Sequence, residues 1–229
     1  EEVATLKKLR SGQKVWRRMY DHNTGLFTEQ VPVSAKQMII LEGLHSFYLS
    51  DQRSLFDLSI FLAPEETLAT HWKICRDMKK RRYNSEQVTA QIASRRGDVE
   101  RHINSQQQFA DIVITPYPDR PIEPMGKDEA VFDVYYDLML SNRIHLDETL
   151  DFMSGFEGID IHHEYESNDD QRVTIKGTCD KECQAAMLTW FEERLQHIGA
   201  RKADWPADLF GVVLFIIIHS IFQDAENAG

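Results

Sequence analysis

Cysteine is scarce: three thiols in 229 residues, an odd number in no regular framework. That excludes a disulfide-stapled scaffold and fits free thiols in a reducing compartment. Long hydrophobic runs are missing as well. The most apolar stretch, Leu209 to Phe222, has 14 residues and contains His219, which makes it too short to span a bilayer. No charged-then-apolar leader opens the chain, so the expectation is a cytoplasmic protein with no membrane partner. Excess positive charge is absent overall, and a net charge of -11 argues against nucleic acid as a partner. Internal repeats and low-complexity tracts are lacking too. What remains is ordinary for a globular protein: 28% charged and 42% hydrophobic residues, enough for one large domain or two small ones with a buried core.

The charge is unevenly spread. Between His71 and Arg101 nine Lys or Arg stand against four acids, a local balance of +5. An acidic chain with one basic segment is expected to use it on a small anion.

The stretch with most chemical promise is Met38-Ile-Ile-Leu-Glu-Gly-Leu-His45. Four apolar residues suited to a buried strand run into an acid, a glycine and a histidine. Glu42 and His45 would thereby reach a loop at the strand's carboxyl end, where open α/β sheets place ligands. A carboxylate there can hold a metal ion or orient a hydroxyl nucleophile. An ordinary turn after a strand is the plainer alternative.

In chain order, Val3, Leu6 and Leu9 predict a short first helix ended by Ser11-Gly12. Arg17, Arg18, Tyr20 and His22 precede the turn signal Asn23-Thr24-Gly25. Cations, a phenol and an imidazole on one loop suit a hydroxylated or phosphorylated ligand, and equally a solvated hairpin. Leu55 to Leu62 predicts a second buried strand, and Pro64-Glu-Glu66 opens a helix carrying Leu68, Trp72 and Cys75 toward a core. On its other side Lys73, Arg76 and Asp77 lie within one turn. Arg81 is five residues past Arg76, about 140° further round, and converges with it only if the helix ends or bends near Lys80. Asp77 has two readings, an ion pair with Lys73 or a site acid.

Asn84 caps a second long helix expected to run to about Ala110, and Asp111 to Thr115 is a third strand. Prolines at 116, 118, 121 and 124 then predict a boundary near residue 120. Before it lies an α/β domain with a mostly parallel sheet flanked by helices. Residues 121–229 form a smaller α+β region: helix from Leu146 to Phe156, strands from Ile159 to Glu166 and Gln171 to Thr178, helix from Glu182 to His197. The run from Leu209 to Phe222 seals the core, or else makes a homo-oligomer contact. His162, His163, Glu164, Cys179 and Cys183 offer a weak metal-site alternative, since neighbouring strand residues face opposite ways.

These motifs, in this order, resemble the phosphoribulokinase and uridine kinase group of P-loop kinases over roughly Glu1 to Pro118. Leu41-Glu-Gly-Leu-His45 is similar to the family's strand-end acid motif in its phosphoribulokinase form. Lys73-Ile-Cys-Arg-Asp77 followed by Arg81 resembles its lid helix, and Arg18-Met-Tyr-Asp-His22 with Gly25-Leu-Phe-Thr28 resembles its acceptor loop. The resemblance implies a P-loop-kinase-like α/β fold and ATP-dependent phosphoryl transfer with Mg2+ to a sugar or sugar phosphate. It implies Glu42 and Asp77 as catalytic residues, with Glu42 also a metal ligand. Lys73, Arg76 and Arg81 would bind phosphate, and Arg18, Tyr20, His22 and His45 the acceptor. Phosphoryl transfer needs charge around the moving phosphate more than covalent chemistry.

One departure is large. No run of Gly-x4-Gly-Lys-Ser/Thr exists among the eleven glycines. In this family that loop and the expected catalytic base precede the matched region. The expectation is the later part of a longer kinase, inactive toward ATP by itself. The alternatives are a non-catalytic kinase-like module that senses a nucleotide or sugar phosphate, and a nucleoside kinase of the uridine type.

Overall fold

The computed structural model of the protein describes residues 2–21, 24–36, 38–81, 83–123, 131–195 and 205–227. Its contacts separate two compact units, Glu1–Asp57 with Asp98–Phe109, and Leu58–Gly97 with Ala110–Gly229.

In the first unit, α1 (Glu2–Arg10) buries Leu6 and Leu9, as their spacing predicts. Arg10 at its end pairs with Asp57 at 2.7 Å. Four short strands follow, β1 (Val15–Arg17), β2 (Tyr20–Asp21), β3 (Leu26–Phe27) and β4 (Val31–Val33). They form a nested antiparallel ribbon, β1 on β4 and β2 on β3. Gly25 turns it with φ of 70°, a left-handed conformation that glycine adopts without a Cβ clash. A four-residue helix, α2 (Ser50–Arg53), and a 3-10 helix (Asn104–Phe109) complete the unit.

The second unit is built on a five-stranded sheet. Its elements are β5 (Ile60–Leu62), α3 (Glu66–Arg81), α4 (Ser85–His102, whose last residues fall in the first unit), β6 (Ile112–Pro118), β7 (Val134–Ser141), α5 (Asp147–Met153), β8 (Ile159–Tyr165), β9 (Asp170–Gly177), α6 (Lys181–Leu195) and α7 (Leu209–Asn227). The strand order is β5-β6-β7-β9-β8. The α/β class expected from the sequence holds, with helices flanking the sheet. The sheet is mixed, however, and not mostly parallel as expected, because β7 returns antiparallel beside β6 and the short turn after β8 leaves no room for a parallel crossover. Its one parallel pair is β5 with β6, joined by the helical crossover that a parallel pair requires. The other three pairs are antiparallel.

Helix ends follow their capping residues. Asn84 and Gln87 exchange side-chain bonds with each other's amides at 2.8 and 3.0 Å, a reciprocal box that starts α4. Glu65 takes the Thr67 and Leu68 amides at the start of α3. The core lies between the sheet and α5, α6 and α7. Val212, Val213, Phe215 and Ile216 have no solvent exposure, so the apolar run after Leu209 seals this core. Phe215 packs against Phe152, Trp190 and Phe191 at ring distances of 5.1, 4.9 and 4.9 Å. No helix among the described residues is long and apolar enough to cross a membrane.

Several sequence expectations are corrected. Met38 to Leu41 is not a strand, and Ile40 is 84% exposed. Apolar character alone names no hydrogen-bonding neighbour, and among the described residues none of the strand ladders includes this run. The strand expected over Leu55 to Leu62 shrinks to three residues on the open edge of the sheet, which leaves Leu62 60% exposed. Trp72 is exposed, and the buried stripe of α3 instead follows Leu68, His71, Ile74 and Asp77 at helical spacing. Helix α4 stops at His102, eight residues short of the expected end, and a separate 3-10 turn follows. The proline at 116 does not end β6, which runs on to Pro118. The two prolines pair with Tyr136 and Val134 of β7, beyond the end of β5, where one side of β6 needs no donor. The sheet therefore runs across the boundary expected near residue 120.

Candidate functional site

The candidate residues fall into two groups, one in each unit. In the first, the loop after Leu41 is fixed by a side chain that sequence reading missed. Gln106, buried in the 3-10 helix, accepts the Phe47 amide at 2.9 Å and donates to the carbonyls of Leu44 and His102 at 2.9 and 2.6 Å. Arg53 adds a bond to the Phe47 carbonyl at 2.7 Å, its guanidinium lying over the Phe109 ring. Within the loop, the Tyr48 amide donates to the His45 carbonyl and the Ser46 hydroxyl to that of Gly43. Glu42 and His45 are exposed. The His45 ring stands 6.0 Å from Tyr48, which is 6.0 Å from His102, a row of polar rings on one surface. Buried amide bonds thus hold the backbone while a carboxylate and an imidazole are left to solvent. A positioned loop of this kind carries chemistry without having to order itself on binding.

The β-ribbon carries the other candidates of this unit. Tyr20 is exposed on β2, edge-on to Phe27 at 5.3 Å. Arg18 sits exposed between β1 and β2, where Met19 and Thr28 close the ribbon with a 2.8 Å backbone bond. His22 lies outside the described residues.

In the second unit, Lys73, Arg76 and Asp77 are brought together on α3, but not as three equivalent solvent-facing groups. Arg76 is 51% exposed, whereas the Asp77 side chain has no solvent exposure at all. Arg76 Nε donates to Asp77 Oδ1 at 2.8 Å. Asp77 lies six residues past His71 and three past Ile74, which puts it on the face that packs inward. In this geometry it is a buried anchor for Arg76. Lys73 is partly buried beside them. Arg81 ends α3, and its side chain lies outside the described ones.

The same helix places His71 Nε2 at 3.6 Å from Cys75 Sγ, with the His71 ring against Phe132. At its start, desolvation raises the Glu65 carboxyl, but bonds from the Thr67 and Leu68 amides and the Thr67 hydroxyl outweigh it and hold the group below the usual range. An ionised cap at this end suits the helix dipole. In the C-terminal region Cys179 and Cys183 touch, and burial pushes both thiols up. His163 bonds Gln171 at 2.9 Å, while His162 points away toward Glu164. Among the described residues no group of three or more His, Cys, Asp or Glu could hold a metal ion.

Comparisons with known proteins follow the same lines. Residues 2–123 match the Phosphoribulokinase / Uridine kinase family. The chain is 37% identical over 118 residues to a phosphoribulokinase of Synechocystis sp., a match covering 52% of this chain and 36% of that protein. It is 36% identical over 124 residues to the chloroplastic phosphoribulokinase of Spinacia oleracea, covering 53% and 31%. A uridine kinase of Borrelia duttonii is 30% identical over 111 residues, covering 48% and 54%. The matched region thus spans about a third of the length of the phosphoribulokinases. A solved phosphoribulokinase from Rhodobacter spheroides superposes with a TM-score of 0.60 over 85% of this chain and 70% of that one, and at 20% identity it shows the shared fold. By its matched residues and its mixed sheet, this chain belongs to the phosphoribulokinase and uridine kinase family.

Proposed function

We propose that the protein containing this chain is an ATP-dependent kinase that moves a phosphoryl group to a hydroxyl of a sugar phosphate, in the manner named for its phosphoribulokinase relatives. The observation that carries this is the pairing on α3, where a buried carboxylate holds a half-exposed arginine in place next to a lysine. A guanidinium held by its Nε keeps its terminal nitrogens free to grip phosphate oxygens bidentately. Charge preset in this way needs little rearrangement when the transferring phosphoryl develops its own.

Lys73, Arg76 and Arg81 are assigned to the phosphates. Asp77 acts through Arg76, as a positioning residue. Arg18, Tyr20, His22 and His45 are assigned to the acceptor, whose hydroxyls and phosphate suit cations, a phenol and an imidazole. Glu42 is assigned to magnesium or to orienting the acceptor hydroxyl. A single exposed carboxylate fits magnesium, which keeps several waters and commonly takes one or two carboxylates beside the substrate phosphates. When bound, the ion would neutralise charge on those phosphates.

The 229 residues hold no Gly-x4-Gly-Lys-Ser/Thr run, and that observation favours a second reading for the chain by itself, a kinase-like module that binds phosphates without turnover. One experiment separates the two. Nucleotide release is followed in the parent protein and in the 229-residue chain, with ATP, Mg2+ and a panel of ribulose phosphate, other sugar phosphates and uridine. Turnover by the parent with a sugar phosphate, lost in Arg76→Gln, supports the enzyme. Binding with no turnover in either supports the module, and a preference for uridine moves the assignment to a nucleoside kinase.

A further inference from the structure

In the second unit, a cavity of about 340 Å³ opens where the start of β7, the turn after β9 and the first residues of α7 meet. Its chemistry is one-sided. Asp133 and Asp208 stand in its wall, and among the described residues no Lys, Arg or His lines it. Phe132, Tyr136 and Phe210 supply aromatic surface, with the Tyr136 and Phe210 rings 6.4 Å apart and inclined by 32°.

We propose that this cavity binds a small organic ammonium ion, with Asp133 and Asp208 meeting the charge and the Tyr136 and Phe210 rings the alkyl body. This inference stands apart from the kinase reading.

Two rival occupants fit less well. The N-terminus of α7 would ordinarily attract an anion, but two of its first-turn amides are already taken by a carboxylate. The amides of Phe210 and Gly211 both donate to Asp208 Oδ1, at 3.0 and 3.3 Å. An anion would meet carboxylates instead. A bare divalent cation would need more hard ligands than two acids, and among the described residues no metal-ligating cluster of three or more exists. An organic ammonium ion needs less: opposite charge, and the faces of aromatic rings. The Tyr136 phenol, pushed up to about 12 by burial and by the Asp208 carboxylate, shows that the negative charge is felt at the ring. A cavity of this volume suits a small ligand.

The test is a titration of the whole chain with tetramethylammonium and with butylammonium chloride, following the ring resonances of Tyr136 and Phe210 by NMR. Sodium chloride at equal ionic strength and inorganic phosphate serve as controls. Saturable shifts with the organic cations alone are expected. Asp133→Asn and Phe210→Ala should each weaken binding by about five-fold. Both side chains are exposed at the rim, whereas Asp208, which caps α7, is left intact so that the helix start is kept. Should Phe210→Ala disturb the fold by circular dichroism, Asp133→Asn decides alone. No saturation, saturation by phosphate instead, or unchanged affinity in Asp133→Asn overturns the proposal.

Discussion

Arg76→Met and Asp77→Asn remove the same ion pair from opposite ends, and the structure requires unequal costs. In Asp77→Asn the charge that disappears is the one without solvent exposure, and the arginine left behind is 51% exposed. That guanidinium can be solvated by water. The lost charge-assisted bond is worth about 1.5–3 kcal/mol, partly offset because a carboxylate no longer has to be held away from water. A net loss of about 1 kcal/mol is expected. Arg76→Met instead withdraws a partner from a carboxylate that water cannot reach, a situation that costs about 3–5 kcal/mol in buried pairs. Asp77 keeps a further interaction, so the lower end, about 3 kcal/mol, is the expectation. Urea unfolding followed by circular dichroism should therefore separate the variants by about 2 kcal/mol, or about 4–8 °C in a thermal scan of a chain this size. If Asp77→Asn costs as much as Arg76→Met, or if Arg76→Met lies within about 0.5 kcal/mol of wild type, the anchoring role of Asp77 is wrong.

Three further outcomes are expected. Thr149→Val removes a fully buried 2.6 Å bond to His219 Nδ1 and should lower stability by about 1–3 kcal/mol in the same urea assay. Gly177→Ala would set a Cβ 2.0 Å from the Gly158 carbonyl oxygen at φ of 96°, whereas Gly12→Ala at φ of 78° meets nothing within 4 Å. The first should cost upward of about 3 kcal/mol, the second about 1 kcal/mol, and equal melting temperatures would contradict this. Alkaline pH should destabilise the second unit. Burial raises the Tyr136 phenol to about 12 and raises both the Cys179 and Cys183 thiols, so the unfolded chain ionises first. The stabilisation is complete below the unfolded values, near 9 for the thiols and 10 for the phenol, and fades as pH rises through the folded ones. Each group adds at most ~1.4 kcal/mol per pH unit; Cys183→Ala should flatten the urea midpoint's fall that begins near the thiol value.

Helices were legible because their signals are local. The Asn84 cap, the acids opening α3 and the three-residue spacing of Leu6 and Leu9 each act within one or two turns, and each stands where the residues put it. Strands were less so, because a strand is defined by a neighbour far along the chain, as Ile60 to Leu62 are by Ile112 to Ile114. The apolar residues at 38–41 and 60–62 look alike in sequence. Only the latter lie beside Ile112 to Ile114, and only they form a ladder. The strands β8 and β9 stand nearly where the residues predict them. But β7, the eight-residue strand that joins them to β5 and β6, has no counterpart in the sequence expectations, and it pairs with β6 through two prolines, which local rules disfavour.

The candidate site divides the same way. Spacing brought Lys73, Arg76 and Asp77 onto one turn, but spacing does not say which side of that turn meets the core. The deciding fact is that His71, Ile74 and Asp77 share a face, so the acid, not the tryptophan at 72, is taken inward. A fully buried carboxylate cannot touch a substrate directly in this conformation, while the arginine it holds can. That burial is why the proposed phosphate contact is assigned to Arg76 and Asp77 is proposed only to position it. Gln106 makes the same point from the other unit. It lies 62 positions from the Leu44 carbonyl that it binds, and no motif around Glu42 or His45 marks it. Removing its amide would leave the Phe47 amide without its acceptor inside a buried turn, at the cost that an unmade buried hydrogen bond carries. The loop that displays Glu42 and His45 is thus specified by a residue chosen for its own burial, and its placement is a property of the folded unit more than of the motif.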